Sequence, residues 1–414
     1  MNKITLISTC TLNNKLKNFF LTLTLTLTSN ALLADNWITS LPDNVYVTQL
    51  SIPGTHDAGT GNGFSGLAAL FGPATAQTQD VTIAKQWDTG IRAFDLRPCV
   101  SNEKLQIYHG IMPTKITFEE ALQTIIGKLN ESPGEFAVVL MRHEDDGDKG
   151  DASWAERMNT LLKSDAINPY LVDYTPSLTL QQVRGKILII SRDTYADTPM
   201  GAYATGWCHS DNIDEMKGGR LKGPKRSGAL FVQDYYDMTE SGAMDTKKKS
   251  ITALLDCSTH INETHGPYVW IVNHTSGYTR SASSDGYRDN AVATNKCVID
   301  YLATADHPGP TGIILMDYAG VNKSGSYEVR GLELTEAIIA NNSRYDMRGA
   351  NPSGIDDITA TNFTITGGIA QGRGTIYLYT PSGQLLATAT DQLQIPEQGL
   401  YIVKNGESTI KVKR

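Results

Sequence analysis

The sequence predicts an α/β protein: an irregular (β/α)8 TIM-type barrel over residues 35–348, then a small all-β, sandwich-like domain over residues 349–414. Three observations carry this expectation. Between about residues 40 and 320 there are eight short apolar, β-branched or aromatic runs, several of them separated by helix-like segments. Eight strands over roughly that length match one barrel. Beyond Arg348 the chain turns to short strand-like runs divided by turn residues.

The expected barrel strands are Tyr46–Ile52, Ile91–Leu96, Leu105–Tyr108, Phe136–Met141, Lys186–Ser191, Ala229–Val232, Tyr268–Val272 and Gly312–Met316. Phe118–Leu129, Trp154–Leu162 and Asn290–Leu302 carry a helical apolar period. Residues 97–105 are too few for a helix, so the barrel is expected to be irregular. In the tail, Asn351–Gly354 reads as a linker. The runs 361–366, 375–379, 385–389, 400–404 and 409–413 read as strands of an accessory domain with no candidate catalytic group.

Residues 1–34 read differently from both domains. Lys3, Lys15 and Lys17 are accompanied by no acidic residue, an apolar stretch with a Thr/Leu alternation follows, and small residues close the segment. This is the pattern of a secretory signal peptide, so a secreted or bacterial cell-surface protein is expected. Beyond residue 34 there are 33 basic and 44 acidic residues, a net charge of -11. That balance argues against a nucleic-acid partner and against general attraction to an anionic membrane. A monomer is expected. Cys99, Cys208, Cys257 and Cys297 contain no C-x-x-C pair; disulfides and buried free thiols both remain open.

Chemistry is concentrated where the runs end: His56-Asp57, then Asp95 and Arg97, His109, Arg142-His143-Glu144, Arg192, Asp234 with Tyr236, Asn273-His274 and Asp317. In a barrel of this kind the carboxyl ends of the strands meet at one mouth. Alternation along a strand puts Asp95 with Arg97, Arg142 with Glu144, and Asp234 with Tyr236 on shared faces. His56 and His109, on strands expected to be neighbours, suggest an acid–base pair with Asp317 placed to orient one of them. Arg97, Arg142 and Arg192 offer guanidinium forks for phosphate oxygens. Together they point to phosphodiester cleavage. No carboxylate cluster with metal-ligand spacing is evident around His56 or Arg97, so no metal and no cofactor are expected.

The segment Leu50-Ser51-Ile52-Pro53-Gly54-Thr55-His56-Asp57-Ala58-Gly59-Thr60 resembles the first catalytic signature of bacterial phosphatidylinositol-specific phospholipase C. Phe94-Asp95-Leu96-Arg97, Tyr108-His109-Gly110, Gly185–Arg192, Val232–Tyr236 and Met316-Asp317-Tyr318 are similar to later blocks, in order, over about residues 40–345. The resemblance implies a phosphatidylinositol diacylglycerol-lyase acting on phosphatidylinositol, or on GPI anchors, at a membrane surface. It implies His56 as general base, Asp317 as its partner, and Arg97 as the charge stabilising the phosphoryl oxygens. Asp57 would orient Arg97, and His109 would serve as general acid. Arg142, Arg192, Asp234 and Tyr236 match head-group positions, although the family commonly has lysine where Arg142 stands.

A membrane-dipping helix is implied at Gly63–Phe71, with Phe64, Leu67, Leu70 and Phe71 on one side. The loop Ser276–Tyr287 and the basic runs Lys217–Arg226 and Lys247–Lys249 are further candidates for lipid contact. Gly399–Lys404 and the basic finish resemble the carboxyl-terminal sorting domains of the type IX secretion system. Two other functions are weighed. A metal-dependent glycerophosphodiester phosphodiesterase is disfavoured by His56-Asp57-Ala58 in place of a His-Arg-Gly start. A non-catalytic inositol- or glycan-binding surface protein is disfavoured because every matched catalytic position is filled.

Overall fold

The computed structural model describes residues 36–264, 268–278, 286–350, 363–406 and 408–414. The expected signal segment, the linker at 351–354 and part of the 276–287 loop lie outside the described residues. Two compact units are present. One comprises the described residues up to Leu41 together with Val47–Met347, and the other Pro42–Tyr46 with Arg348–Arg414.

The larger unit contains a closed barrel. Its strands are β1 (Ser51–Thr55), β2 (Ala93–Leu96), β6 (Ala137–Met141), β7 (Ile187–Ser191), β8 (Ala202–Thr205), β9 (Gly219–Lys222), β10 (Ser227–Gln233), β11 (Trp270–His274) and β12 (Gly312–Met316). Most are buried along their whole length, which is why they read as unbroken Val/Ile/Leu runs. Gly54 is required in β1: a Cβ there would lie 2.7 Å from Leu315 Cδ2 and 2.8 Å from the Ala93 Cβ.

Three expectations change. Leu105–Tyr108 is not a barrel strand. It belongs to a separate three-stranded antiparallel sheet of β3 (Pro98–Ser101), β4 (Lys104–His109) and β5 (Met112–Thr117). β8 and β9 were not anticipated; they are four residues each, alternate in burial, and make the barrel nine-stranded. β9 runs antiparallel to both β8 and β10, because a short reversal suffices to fill the gap between β7 and β10. Tyr46–Ile52 is only partly strand, since Val47–Gln49 is a 3-10 turn.

The helices Phe118–Glu131, Trp154–Leu162 and Gly286–Thr304 occupy the expected places. The first starts on a capping box between Thr117 and Glu120 and buries Phe118, Ala121, Leu122, Ile125, Ile126 and Leu129. A 22-residue helix, Ala243–Thr264, was masked in the sequence by its lysines, threonines and serines. The four cysteines among the described residues are free thiols: Cys99 and Cys208 are buried, Cys257 and Cys297 partly so.

In the smaller unit β13 (Phe363–Thr366), β14 (Ile369–Tyr379), β15 (Leu385–Gln394), β16 (Leu400–Asn405) and β17 (Ser408–Lys413) pair antiparallel. They form one five-stranded sheet rather than two separate ones. Ile376, Leu378, Leu393, Val403, Ile410 and Val412 supply its core.

Candidate active site

The site is built outward from the register of β1 and β12. Thr55 pairs with Met316 at the carboxyl ends of these parallel strands, so the next residue on each, His56 and Asp317, emerges beside the other. His56 Nδ1 lies 2.8 Å from Asp317 Oδ1. Gln79 clamps both strand ends, donating from Nε2 to the carbonyls of His56 (2.9 Å) and Met316 (2.8 Å). Past the couple the backbone turns sharply, with Asp57 and Tyr318 both in the left-handed region. The Tyr318 amide is tied to Thr78 O at 2.7 Å, which holds that turn.

β2 contributes the cation. Arg97 contacts Asp57 Oδ2 at 3.1 Å and Asp95 Oδ2 at 2.9 Å, both carboxylates being buried. Asp57 Oδ2 is a hub, because it also lies 3.2 Å from His56 Nε2 and 3.5 Å from His109 Nε2. His109 comes not from a neighbouring barrel strand, as expected, but from the end of β4. There the Gly110-Ile111 turn folds the hairpin back over the mouth. The Gly110 amide donates to Glu144 Oε1 at 3.0 Å and anchors that tip. His109 Nδ1 faces Ala76 O at 2.6 Å, which makes it the protonated nitrogen and leaves Nε2 to work.

Burial, and next to it the Arg97 charge, hold His56 well below the usual histidine range, so at neutral pH it is uncharged and its Nε2 is free to accept a proton. Burial pushes the Asp57 carboxyl up to about 6 against the pull of Arg97 and His109. For Asp95 burial acts upward, but Arg97 outweighs it and keeps the carboxyl below the usual range. One carboxyl of this pair is therefore firmly ionised, while the other takes and gives a proton near neutrality.

His56, Asp57 and Asp95 bring ligand-type atoms within 4.8 Å of one another, so the expectation of no such cluster around His56 does not hold. The Arg97 guanidinium touches both carboxylates, and so already supplies the positive charge such a cluster calls for.

The expected head-group residues lie on the neighbouring strand ends. Arg142 contacts Glu144 at 3.4 Å. Arg192 packs its guanidinium over Trp207, 4.5 Å from the ring centroid. Asp234 accepts from Trp207 Nε1 at 2.8 Å and faces His209 and His274 at 3.3 and 3.6 Å. Tyr236 is half exposed and edges against His209. His143 is engaged with Asp148 and stacked on Trp154, away from the acid–base pair.

Trp207, His209 and Gln79 escaped selection in the sequence, and His274 and Tyr287 were given no role in the site there. The first two lie on the unanticipated β8–β9 excursion. Tyr287, whose hydroxyl is 3.2 Å from His109 Nε2, opens a helix with no motif around it. His274 carried a signal as an ionisable residue at a strand end, and Tyr287 only as the end of the loop considered for lipid contact.

Of the apolar rim, Leu67, Leu70 and Phe71 are exposed by 79, 73 and 60% around the helix Ala68–Thr75. Phe64 is not among them. It precedes the helix, bridges to Thr114 and is buried against Ala68, Ala76 and Met112, because the chain enters the helix across β5. Ile111, 70% exposed at the hairpin tip, is an unanticipated addition. In the basic run 247–249, Lys247 is fully buried and faces no lipid.

The family model for phosphatidylinositol-specific phospholipase C, X domain, matches residues 67–193. A 1-phosphatidylinositol phosphodiesterase of Listeria monocytogenes is 32% identical over 168 residues, 40% of this chain and 50% of that protein. The match thus spans half the length of that relative. A Staphylococcus aureus protein of the same description is 25% identical over 300 residues, 70% of this chain and 90% of that one. Among solved structures, the phosphatidylinositol-specific phospholipase C of Listeria monocytogenes superposes with a TM-score of 0.57 at 24% identity, covering 74% of this chain and 98% of that one. One from S. aureus, solved in work on its membrane binding, gives 0.59 at 22%, covering 74% and 97%. These likenesses establish the barrel fold.

Proposed function

We propose that the chain is a member of the phosphatidylinositol-specific phospholipase C X-domain family whose model matches residues 67–193, and that it cleaves inositol phosphodiesters of membrane lipids by transfer to the inositol 2-hydroxyl. The observation that carries this reading is the convergence of His56 Nε2, Arg97 and His109 Nε2 on one carboxylate oxygen of Asp57. A base, a fixed cation and an acid within a few ångströms are what an in-line phosphoryl transfer needs.

His56 Nε2 takes the proton of the 2-hydroxyl while Asp317 holds Nδ1–H. The freed oxygen forms a bond to phosphorus, and the bond from phosphorus to the glycerol oxygen breaks. Arg97 neutralises charge on the non-bridging oxygens. His109 Nε2, sharing its proton with Asp57, gives it to the departing diacylglycerol oxygen. The products are diacylglycerol and inositol 1,2-cyclic phosphate. Arg142 and Arg192 lie at the mouth where a charged head group would be held, with Asp234 to accept from ring hydroxyls and Tyr236 beside them.

The exposed Leu67, Leu70, Phe71 and Ile111 give the rim an apolar face suited to a bilayer interface, in a monomeric, peripherally bound enzyme. Export is part of the same proposal, and rests on the composition of residues 1–34; fractionation of the expressing cells tests it. The activity is tested by phosphorus NMR of the products in chelator, with phosphatidylinositol in one arm and a GPI-anchored protein in the other. Appearance of the cyclic phosphate supports the mechanism. A linear inositol phosphate formed at once, or strict metal dependence, overturns it.

A further inference from the structure

Lys247 projects from the helix Ala243–Thr264 on the stripe continued by Ile251, Leu254, Ser258 and Ile261, and is fully buried. Among the described residues it makes no direct ion pair. Its ammonium donates to Gln233 Oε1 at 3.1 Å. Gln233 Nε2 donates in turn to Asn273 Oδ1 and to the His274 carbonyl, both at 2.8 Å, which ties the ends of β10 and β11 together. The charges that act on Lys247 through the interior are those of Asp234, Asp317 and His274, at the ends of β10, β12 and β11.

An ammonium is not kept in such a place without a reason, since burial disfavours it strongly. Burial draws it down to about 7, while Asp234 and Asp317 act to keep it charged. It is therefore a cation from neutral pH downward.

The other buried carboxylates at the mouth have partners of their own. Arg97 answers Asp57 and Asp95. Glu144 has Gly110 N and Arg142. Asp234 has Trp207 and His209. Among the described residues the Asp317 carboxylate is hydrogen-bonded by His56 at Oδ1, its buried Oδ2 has no hydrogen-bond partner, and a base must be neutral before it acts. Burial and Asp57 push the Asp317 carboxyl upward; Lys247 is the first charge that draws it back.

We propose that Lys247 is a positioning residue for the His56–Asp317 couple, its ammonium serving as the buried counter-charge of the Asp317 carboxylate. The proposal rests on the phospholipase reading above. Without that charge, the couple takes up a proton more readily, whichever member receives it, and the protonated couple is not a base.

Lys247→Met fills the same space without charge, and Lys247→Gln keeps a donor toward Gln233 and guards against loss of fold. Both are compared with wild type for kcat, KM and their pH dependence on phosphatidylinositol vesicles in chelator, alongside thermal unfolding. The expected result is a kcat lowered about tenfold at pH 6 with KM unchanged. The acid limb should move up by about one pH unit, and unfolding should come at an equal or higher temperature in Lys247→Met. Superimposable pH profiles in a folded variant overturn the proposal, as does a change confined to KM. An inactive wild type would instead overturn the phospholipase reading, so the two failures are distinct.

Discussion

His56 Nδ1 and Asp317 Oδ1 stand 2.8 Å apart although 261 positions separate the residues in the chain. Their closeness follows from strand register, Thr55 against Met316, and from Gln79, which bonds the carbonyls on both sides. The Asp317 contact holds the proton on Nδ1 and turns Nε2 toward Asp57, Arg97 and the mouth.

The two histidines should be separable from the fold. His56→Ala and His109→Ala are expected to unfold at temperatures close to wild type and to lose on the order of 10²–10⁴ in kcat, the usual worth of a positioned acid or base. A folded His56→Ala enzyme retaining a tenth of the wild-type rate would remove it from the role of base.

Arg97 should make added metal unnecessary. Its guanidinium supplies the charge between Asp57 and Asp95, so wild-type turnover is expected to be the same in EDTA as in calcium. Arg97→Met should lose about 10²–10³ in kcat, comparable to removing one electrostatic stabiliser of a transition state. Activity assays across a chelator series read this directly.

Asp57 carries a cost in stability that its chemistry explains. Its carboxyl is raised by burial to about 6, above the value near 4 of an unfolded chain. The folded state therefore holds the proton more tightly. Any stability from that proton is complete below about pH 4 and is lost as pH rises through about 6. Asp57→Asn should thus stabilise the protein above pH 6, by on the order of 1–3 kcal/mol, with little change at pH 4, while turnover falls. Thermal melts at the two pH values decide it; a gain that is equal at both would show that ionisation is not involved.

The rim and the packed phenylalanine should part company. Leu67→Ser with Phe71→Ser removes two exposed side chains, each worth roughly 1.5–3 kcal/mol if it enters the interface. Vesicle sedimentation should weaken sharply, and hydrolysis of soluble inositol cyclic phosphate should persist. Phe64→Ser opens a cavity instead, and is expected to lower the unfolding temperature in the absence of any lipid. Equal losses in both assays for the Leu67/Phe71 variant would withdraw the membrane role.

What the sequence determined by itself was local or periodic. The buried barrel strands are legible because both their faces meet apolar layers, and so they become unbroken apolar runs. The helices Phe118–Glu131 and Trp154–Leu162 are legible because one face is dry and the other wet. The charged residues just past those runs mark the mouth, since parallel strands deliver all their carboxyl ends to the same side. Tertiary structure alone decided what depends on partners distant in the chain. β8 and β9 are too short to have a period of their own, and only the gap between β7 and β10 makes them barrel strands. Leu105–Tyr108 has the composition of a barrel strand but finds its hydrogen-bond partners in a hairpin, and that hairpin is what carries His109 to the mouth. Phe64 and Lys247 were assigned to the surface by their neighbours in sequence. Their burial was set by β5 in one case and by the strand ends above the helix Ala243–Thr264 in the other, because solvent exposure belongs to a packed surface and not to a segment of chain.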